Sequence, residues 1–333
     1  MKKHLSTILK AGVTVALLFL VLHSIHPREI ARRVLQASPG WMTAAFLLSL
    51  ISPLLVAVKW HLLLKRAGVH AGVLPLLNIT LTTGFVGTFL PSNLGVDALR
   101  MYALHRKKIN VAANASSLLC DRLLGVMALV AFALAAVFPA WHTLQDRSVL
   151  AQVAAVSLLI IAMTLLFLNH ACFEWGKTLL ARISNRLFPA GSRFKMCRSL
   201  NHLSATVVGS LNQIHATLRS QLSHPATMAP VSLLTLLVQF LRIVQVHWLF
   251  LSIGTHVPWS QELTFVPIIL LVSLLPISIF GIGIKEGAFV YLFSQVGIDP
   301  AVALAVSFYT YVLQIMIIVP GSVIFLYERY RKE

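Results

Sequence analysis

Acids are what this sequence has least of. Among 333 residues only ten are Asp or Glu, against 27 Lys and Arg, for a formal net charge of +17. Charged residues make up 11% of the chain and hydrophobic residues 58%; the mean hydropathy is +0.83. A water-soluble core of this size needs far more polar surface, so the composition excludes a soluble protein and points to an integral membrane protein. Cysteine is scarce too. Cys120, Cys172 and Cys197 are scattered with no Cys-x-x-Cys, so neither a disulfide framework nor a zinc site follows. There is no Gly-x-Ser-x-Gly, no Walker loop and no His-Glu-x-x-His, and no soluble domain to hold a nucleotide. No catalytic residue, metal or cofactor is expected. Of thirteen histidines only His23 and His26 sit close together, at the end of an apolar run, where an interfacial role is expected. Asn78-Ile-Thr80 and Asn114-Ala-Ser116 match glycosylation acceptors, but one lies in an apolar run and the other at an expected cytoplasmic edge, so chance explains them better.

What is there is a series of eight apolar runs. They lie near residues 4–22, 41–58, 73–94, 114–138, 149–168, 226–251, 263–284 and 300–326. About 20 residues cover the roughly 30 Å of a bilayer's hydrocarbon, and each run is near that length. No small-x-small cleavage site follows the first run, so it reads as an uncleaved span. Lys59-Trp60 reads as the interfacial end of the second. Basic residues between runs favour anionic lipid headgroups, not nucleic acid, as what they meet.

Lys and Arg should be in excess on the cytoplasmic side. Eight simple crossings with the N-terminus inside put 10 of them in the cytoplasm and 15 outside, which is backwards. If 73–94 and 263–284 instead dip in and return on the same face, the split becomes 20 inside and 5 outside. The expected architecture is therefore an all-α polytopic helical bundle. It has six full crossings, two inverted re-entrant elements, and both termini in the cytoplasm. One transmembrane domain covers 1–333, with 169–225 as a cytoplasmic connection. That connection is basic, and Trp175, Leu179, Ile183, Leu187 and then Leu200, Leu203, Val207, Leu211 follow helical spacing. It fits helices lying on the inner leaflet, or a cap on the bundle.

The two dips share a grammar. Residues 84–102 begin as an apolar segment, break at Leu90-Pro91, pass Ser92, Asn93 and Gly95, and deliver Asp97 and Arg100. Pro91 ends or kinks a helix, Gly95 permits a sharp reversal, and Asp97 and Arg100 share a face of a restarted helix. Residues 275–287 repeat the plan with Leu275-Pro276, Ser278, Gly281, Gly283, Lys285 and Glu286. Proline precedes the acid by six positions in the first and ten in the second, so these are counterparts in two halves, not a strict repeat. Broken backbone in a bilayer must be buried in protein or line a wet cavity. Paired interrupted segments are a sequence pointer to a transporter's substrate site.

Ionisable groups inside a membrane cost about 2.5–3.5 kcal/mol each on insertion scales, so they pair or face water. Asp97/Arg100, Asp121/Arg122 and Lys285/Glu286 are acid–base neighbours in or beside apolar segments, whereas Arg242 has no acid nearby in sequence. These groups are expected to line a shared polar cavity. Arg100, Arg242 and Lys285 would hold a phosphate or pyrophosphate headgroup, and Asp97, Asp121 and Glu286 would orient the bases or carry a coupling proton. Each has a blander role available: Asp121-Arg122 as an interfacial anchor, Lys285 as a snorkelling side chain.

Leu90-Pro91-Ser92-Asn93-Leu94-Gly95-Val96-Asp97-Ala98-Leu99-Arg100, the downstream Asp121-Arg122-Leu123-Leu124-Gly125, and Pro276-Ile277-Ser278-Ile279-Phe280-Gly281-Ile282-Gly283-Ile284-Lys285-Glu286-Gly287 together resemble the lysylphosphatidylglycerol synthase transmembrane region, also called the flippase-like domain family. That family has Gly-Gly-Asp where this chain has Gly95-Val96-Asp97, and Arg-Glu where it has Lys285-Glu286. The resemblance implies lipid translocation, or association with lipid and isoprenoid-glycolipid pathways. The family's best-understood members carry a soluble aminoacyl-transferase domain. With no such domain before Glu333, the expectation is that this chain does not itself make lysylphosphatidylglycerol. Three functions are open. The first is a bacterial inner-membrane lipid flippase that moves an anionic phospholipid or isoprenoid-linked lipid. The second is a non-transporting accessory subunit of a lipid-modifying enzyme or glycosyltransferase. The third is a membrane transferase with Asp97 or Glu286 as base.

Overall fold

The structure is a computed structural model. It describes residues 37–88, 93–105, 111–140, 147–169, 225–274 and 282–330, with isolated residues between 173 and 222. The first apolar run and most of the 169–225 connection lie outside the described residues. So do Pro91, Ser92, Pro276, Ser278, Gly281 and the side chain of Asn93.

The described residues form no strand. Their helices are α1 (Pro39–Arg66), α2 (Val73–Gly87), α3 (Asn93–His105), α4 (Val111–Ala140), α5 (Arg147–Leu168), α6 (Pro225–Ser252), α7 (Trp259–Val272), α8 (Ile284–Ser294) and α9 (Pro300–Tyr330). α1, α4, α6 and α9 each hold an apolar stretch long enough to cross a membrane. Proline opens α1, where its missing N–H costs nothing. Lys65 and Arg66 complement the dipole in its last turn. At 28 residues α1 is about 42 Å long. It runs on past Val58, so Lys59 and Trp60 are buried mid-helix, 4% and 2% exposed, and not at an interface. That departs from the sequence expectation because Lys59 has a carboxylate partner inside the protein.

α2 and α7 are the short ones. With 15 and 14 residues they reach only about 21–23 Å, less than the hydrocarbon thickness. Each is followed by a second short helix that folds back on it. Leu76 and Ile79, early in α2, share a cluster with Leu104, late in α3. Phe265, midway along α7, meets Phe293, late in α8, edge to face at 5.5 Å. Both broken stretches are therefore helical hairpins. Gly95 does not make the reversal expected of it; the helix restarts at Asn93, which places Gly95 inside α3.

The hairpins belong to two halves of one plan. α1–α2–α3–α4 and α6–α7–α8–α9 each read long, short, short, long. Exchanging the halves maps the packing onto itself. α2 packs on α9 as α7 packs on α4; α1 on α4 as α6 on α9; α3 on α4 as α8 on α9. α1 and α6 pack on each other, and they run antiparallel. The Ser38 N–H, at the start of α1, donates to the Ser252 carbonyl, at the end of α6, at 2.6 Å. Trp41 lies 6.2 Å from Trp248, ring to ring. Each hairpin leaves from the C-terminal end of its long helix, so the two enter the bundle from opposite ends. This is the inverted arrangement the charge distribution calls for.

Lipid tails are as apolar as leucine, so in a membrane close packing holds helices together. A Cβ on Gly321 of α9 would collide with the Leu81 carbonyl of α2. One on Gly84 would sit 3.1 Å from Ile318. Exposed apolar side chains such as Leu158, Leu159 and Met163 on α5, or Ile315, Val319 and Val323 on α9, form the surface that lipid covers.

Candidate functional site

A cavity of about 480 Å³ opens between the hairpins. Its position follows from the fold. Gly84, Val96 and Asp97 border it from the end of α2 and the start of α3, and Ser273, Leu274 and Lys285 from the end of α7 and the start of α8. Both hairpins thus border it, through the described residues that flank their breaks.

Six of the side chains expected at a polar cavity line this one: Asp97, Arg100, Asp121, Arg122, Arg242 and Lys285. Four helices contribute them. α3 carries Asp97 and Arg100 three residues apart, on one face. α4 brings Asp121 and Arg122, and Arg122 Nε donates to Asp97 Oδ2 at 2.6 Å. Arg100 Nη1 is 3.9 Å from Asp97 Oδ1, with its guanidinium 5.6 Å over the Trp60 ring. α6 supplies Arg242, exposed to the cavity it lines. Its Nη1 donates to Gln239 Oε1 at 3.2 Å, while Gln239 Nε2 donates to the Gly125 carbonyl of α4 at 3.3 Å. α8 supplies Lys285, whose Nζ donates to Thr310 Oγ1 of α9 and lies 4.0 Å from the centre of the Tyr311 ring. Lys285 and Arg242 are close enough to repel one another. Asp121-Arg122 is thus no interfacial anchor here, and Lys285, 8% exposed, does not snorkel.

Each half ties the second helix of its hairpin to the following long helix through residues at the same sequence separation. Asp97 and Arg122 are 25 residues apart and join α3 to α4; Lys285 and Thr310 are 25 apart and join α8 to α9. The first tie is ionic and the second is not.

Glu286 does not line the cavity. It is 0% exposed, and its Oε2 accepts the Gly283 N–H at 2.6 Å. Gly283 has φ +90°, which favours glycine, so Glu286 caps the start of α8 from its third position. It stands directly behind Lys285 and also neighbours Tyr311. Neither Gly95 nor Gly283 lines the cavity.

Sequence reasoning missed Lys59, whose Nζ is 2.6 Å from Asp121 Oδ1, and left Gln239, Gln245, Thr310 and Tyr311 unassigned. A signal was present. Ser49, Ser52, Val56 and Lys59 all line the cavity at spacings of three and four, a polar stripe down an otherwise apolar helix. Gln239, Arg242 and Gln245 make a second stripe. Outside the cavity, His247 Nδ1 lies 2.8 Å from Glu262 Oε2. Trp259 stacks on that imidazole with centroids 4.1 Å apart. This cluster joins α6 to α7. The described residues hold no group of three or more His, Cys, Asp or Glu arranged for a metal.

A family model described as the lysylphosphatidylglycerol synthase TM region matches residues 7–321. The chain is 25% identical over 313 residues to a UPF0104 membrane protein of Pyrococcus horikoshii, covering 92% of this chain and 91% of that protein. It is 21% identical over 309 residues to a UPF0104 membrane protein of Methanothermobacter thermautotrophicus, covering 92% and 90%. Both relatives are archaeal proteins.

Proposed function

This chain belongs to the lysylphosphatidylglycerol synthase transmembrane-region family, and from that premise we propose that it carries a lipid headgroup across the membrane. One observation supports this above the others. Five cations and two carboxylates, drawn from both halves, line one cavity between two inverted hairpins. Oppositely entering broken helices that share a polar interior are the arrangement of an alternating-access carrier. The excess of cations selects an anionic headgroup, an anionic phospholipid or an isoprenoid-linked lipid. Arg100, Arg122 and Arg242 supply planar forks of donors suited to phosphate oxygens, and Lys59 and Lys285 supply point charges. Asp97 and Asp121 hold Arg122 and Lys59 in place. The apolar chains would stay in lipid beside the bundle.

In this proposal the protein is a multi-pass transporter and not an enzyme. It sits in the cytoplasmic membrane with both termini on the cytoplasmic side. Its partners are membrane lipids and a lipid-modifying enzyme, and no nucleic acid. The test is purified full-chain protein in liposomes with a labelled anionic lipid in one leaflet. Leaflet-to-leaflet movement that falls at least tenfold in Arg242→Gln supports it. A protein that binds a lipid-modifying enzyme but moves no lipid is an accessory subunit, and the proposal fails. Catalytic turnover of the lipid without movement likewise defeats it.

A further inference from the structure

The charges lining the cavity are not evenly matched. Lys59 and Arg122 each have a carboxylate oxygen at 2.6 Å. Arg100 does not: it stands 3.9 Å from an Asp97 already engaged by Arg122, and its buried Nε has no hydrogen-bond partner. Arg242 bonds the neutral Gln239. Lys285 bonds the neutral Thr310, and the carboxylate behind it is turned to the Gly283 N–H. So, among the described residues, three cations from three helices (α3, α6 and α8) face the cavity without a tight carboxylate. The lining carries an excess of three positive charges, or two if Glu286 is counted as ionised.

Resting on the transport reading above, we infer that the headgroup selected here ends in a phosphate that carries more than one negative charge: a phosphomonoester or diphosphate, in preference to a phosphodiester. The diester carries one charge and two free oxygens. A phosphomonoester carries about 1.5–2 negative charges at neutral pH and three acceptor oxygens. Arg100 enters from the first half, Arg242 and Lys285 from the second. A tetrahedral group with three free oxygens can answer all three, whereas a diester spends one oxygen position on its second ester. The cavity volume lies within the usual range of about 300–1,000 Å³ for small-molecule sites, so the phosphate and the start of its lipid chain fit. Each added charge is felt across a few ångströms in a partly desolvated space, where pairwise attraction is several times stronger than in water.

The experiment uses the purified full chain in phosphatidylcholine bilayers doped with phosphatidic acid, a long-chain isoprenyl phosphate or phosphatidylglycerol. Retained lipid is read by native mass spectrometry, and movement by a leaflet-protection assay. Phosphatidic acid and isoprenyl phosphate are expected to be retained about tenfold or more over phosphatidylglycerol. Soluble diphosphate should displace them. Arg242→Gln and Lys285→Gln should each lower retention of phosphatidic acid and isoprenyl phosphate by a larger factor than that of phosphatidylglycerol, pulling the ratio towards one, and Lys285→Arg should preserve it. A loss of folding lowers all three lipids together and leaves the ratio alone. Equal retention of the three lipids, or a preference for phosphatidylglycerol, overturns the inference. Diphosphate binding with no lipid retained assigns the site to a soluble anion and also overturns it. A monoester preference without movement sustains the inference and defeats transport. Equal retention with movement does the reverse.

Discussion

Asp97→Asn is the most direct perturbation of the cavity, because Asp97 joins the first hairpin to α4. Unit charges about 4 Å apart attract by about 4 kcal/mol at an effective dielectric near 20. The Arg122 and Asp97 side chains are 33% and 21% exposed, so screening and desolvation cancel part of that. A charge-assisted hydrogen bond in such a setting nets about 1.5–3 kcal/mol. Arg100 loses its weaker contact in the same variant. The expected cost of Asp97→Asn is therefore about 2–3 kcal/mol. Arg122→Gln should cost less, because Asp97 keeps Arg100. Equilibrium unfolding in mixed micelles of the wild type, both single variants and the double variant gives the coupling energy. It should be about 1–2 kcal/mol, with the double variant less unstable than the singles added together. A coupling below about 0.3 kcal/mol would mean that solvent has already dissolved the pair. The first hairpin would then not be held through Asp97, and the cavity as described would lack its most important tie.

Gly321→Ala drives a methyl group into the Leu81 carbonyl and must part α2 from α9. Thermal unfolding should show a loss of about 1–3 kcal/mol, and Gly84→Ala, which meets only the side chain of Ile318, should lose less. At Gly283, φ +90° makes an alanine strained whatever the space around it. About 1–2 kcal/mol should be lost, and Glu286→Gln, which weakens the bond to the Gly283 N–H, should lose a similar amount by the same measurement. His247→Ala removes the imidazole that partners the fully buried Glu262 across α6–α7. A cost of about 1–3 kcal/mol is expected, with lipid selectivity unchanged, since neither residue lines the cavity.

Much of the fold is legible in the sequence, because apolar run length and the placement of Lys and Arg respond to the bilayer directly. The spans near 114–138, 226–251 and 300–326 recur as α4, α6 and α9. The two Leu-Pro breaks coincide with the gaps between α2 and α3 and between α7 and α8. Six of the expected site residues meet because a charge in an apolar segment has few stable places to go. What sequence could not fix was direction. Lys59 followed by Trp60 has the composition of an interfacial end, and only the tertiary contact with Asp121 makes it interior. Glu286 has the pattern of a cavity acid, yet an acid three positions after a glycine at a helix start also has the pattern of a cap, and the cap prevails. Gly95 offers flexibility that α3 does not use, because Asn93 already starts the helix.

The inverted repeat is plain in the packing but faint in the sequence, and the reason is chemical. Backbone symmetry asks only that long and short helices alternate and that small residues fall where helices cross. It does not ask the two halves to carry the same charges. At the same sequence separation the first half places an ion pair, Asp97 with Arg122, and the second places a lysine on a threonine. The first hairpin's acid is therefore neutralised by Arg122 and leaves only Arg100 over, while the second half leaves both Lys285 and Arg242 without a close carboxylate. For the proposed carriage of an anionic headgroup this inequality matters. Two self-neutralised hairpins would leave no excess charge to hold an anionic ligand, and two unneutralised ones would load the interior with repulsion that no single headgroup could relieve. The asymmetry that hides the repeat from sequence comparison is thus the feature that, on the proposed function, leaves room for an anionic headgroup.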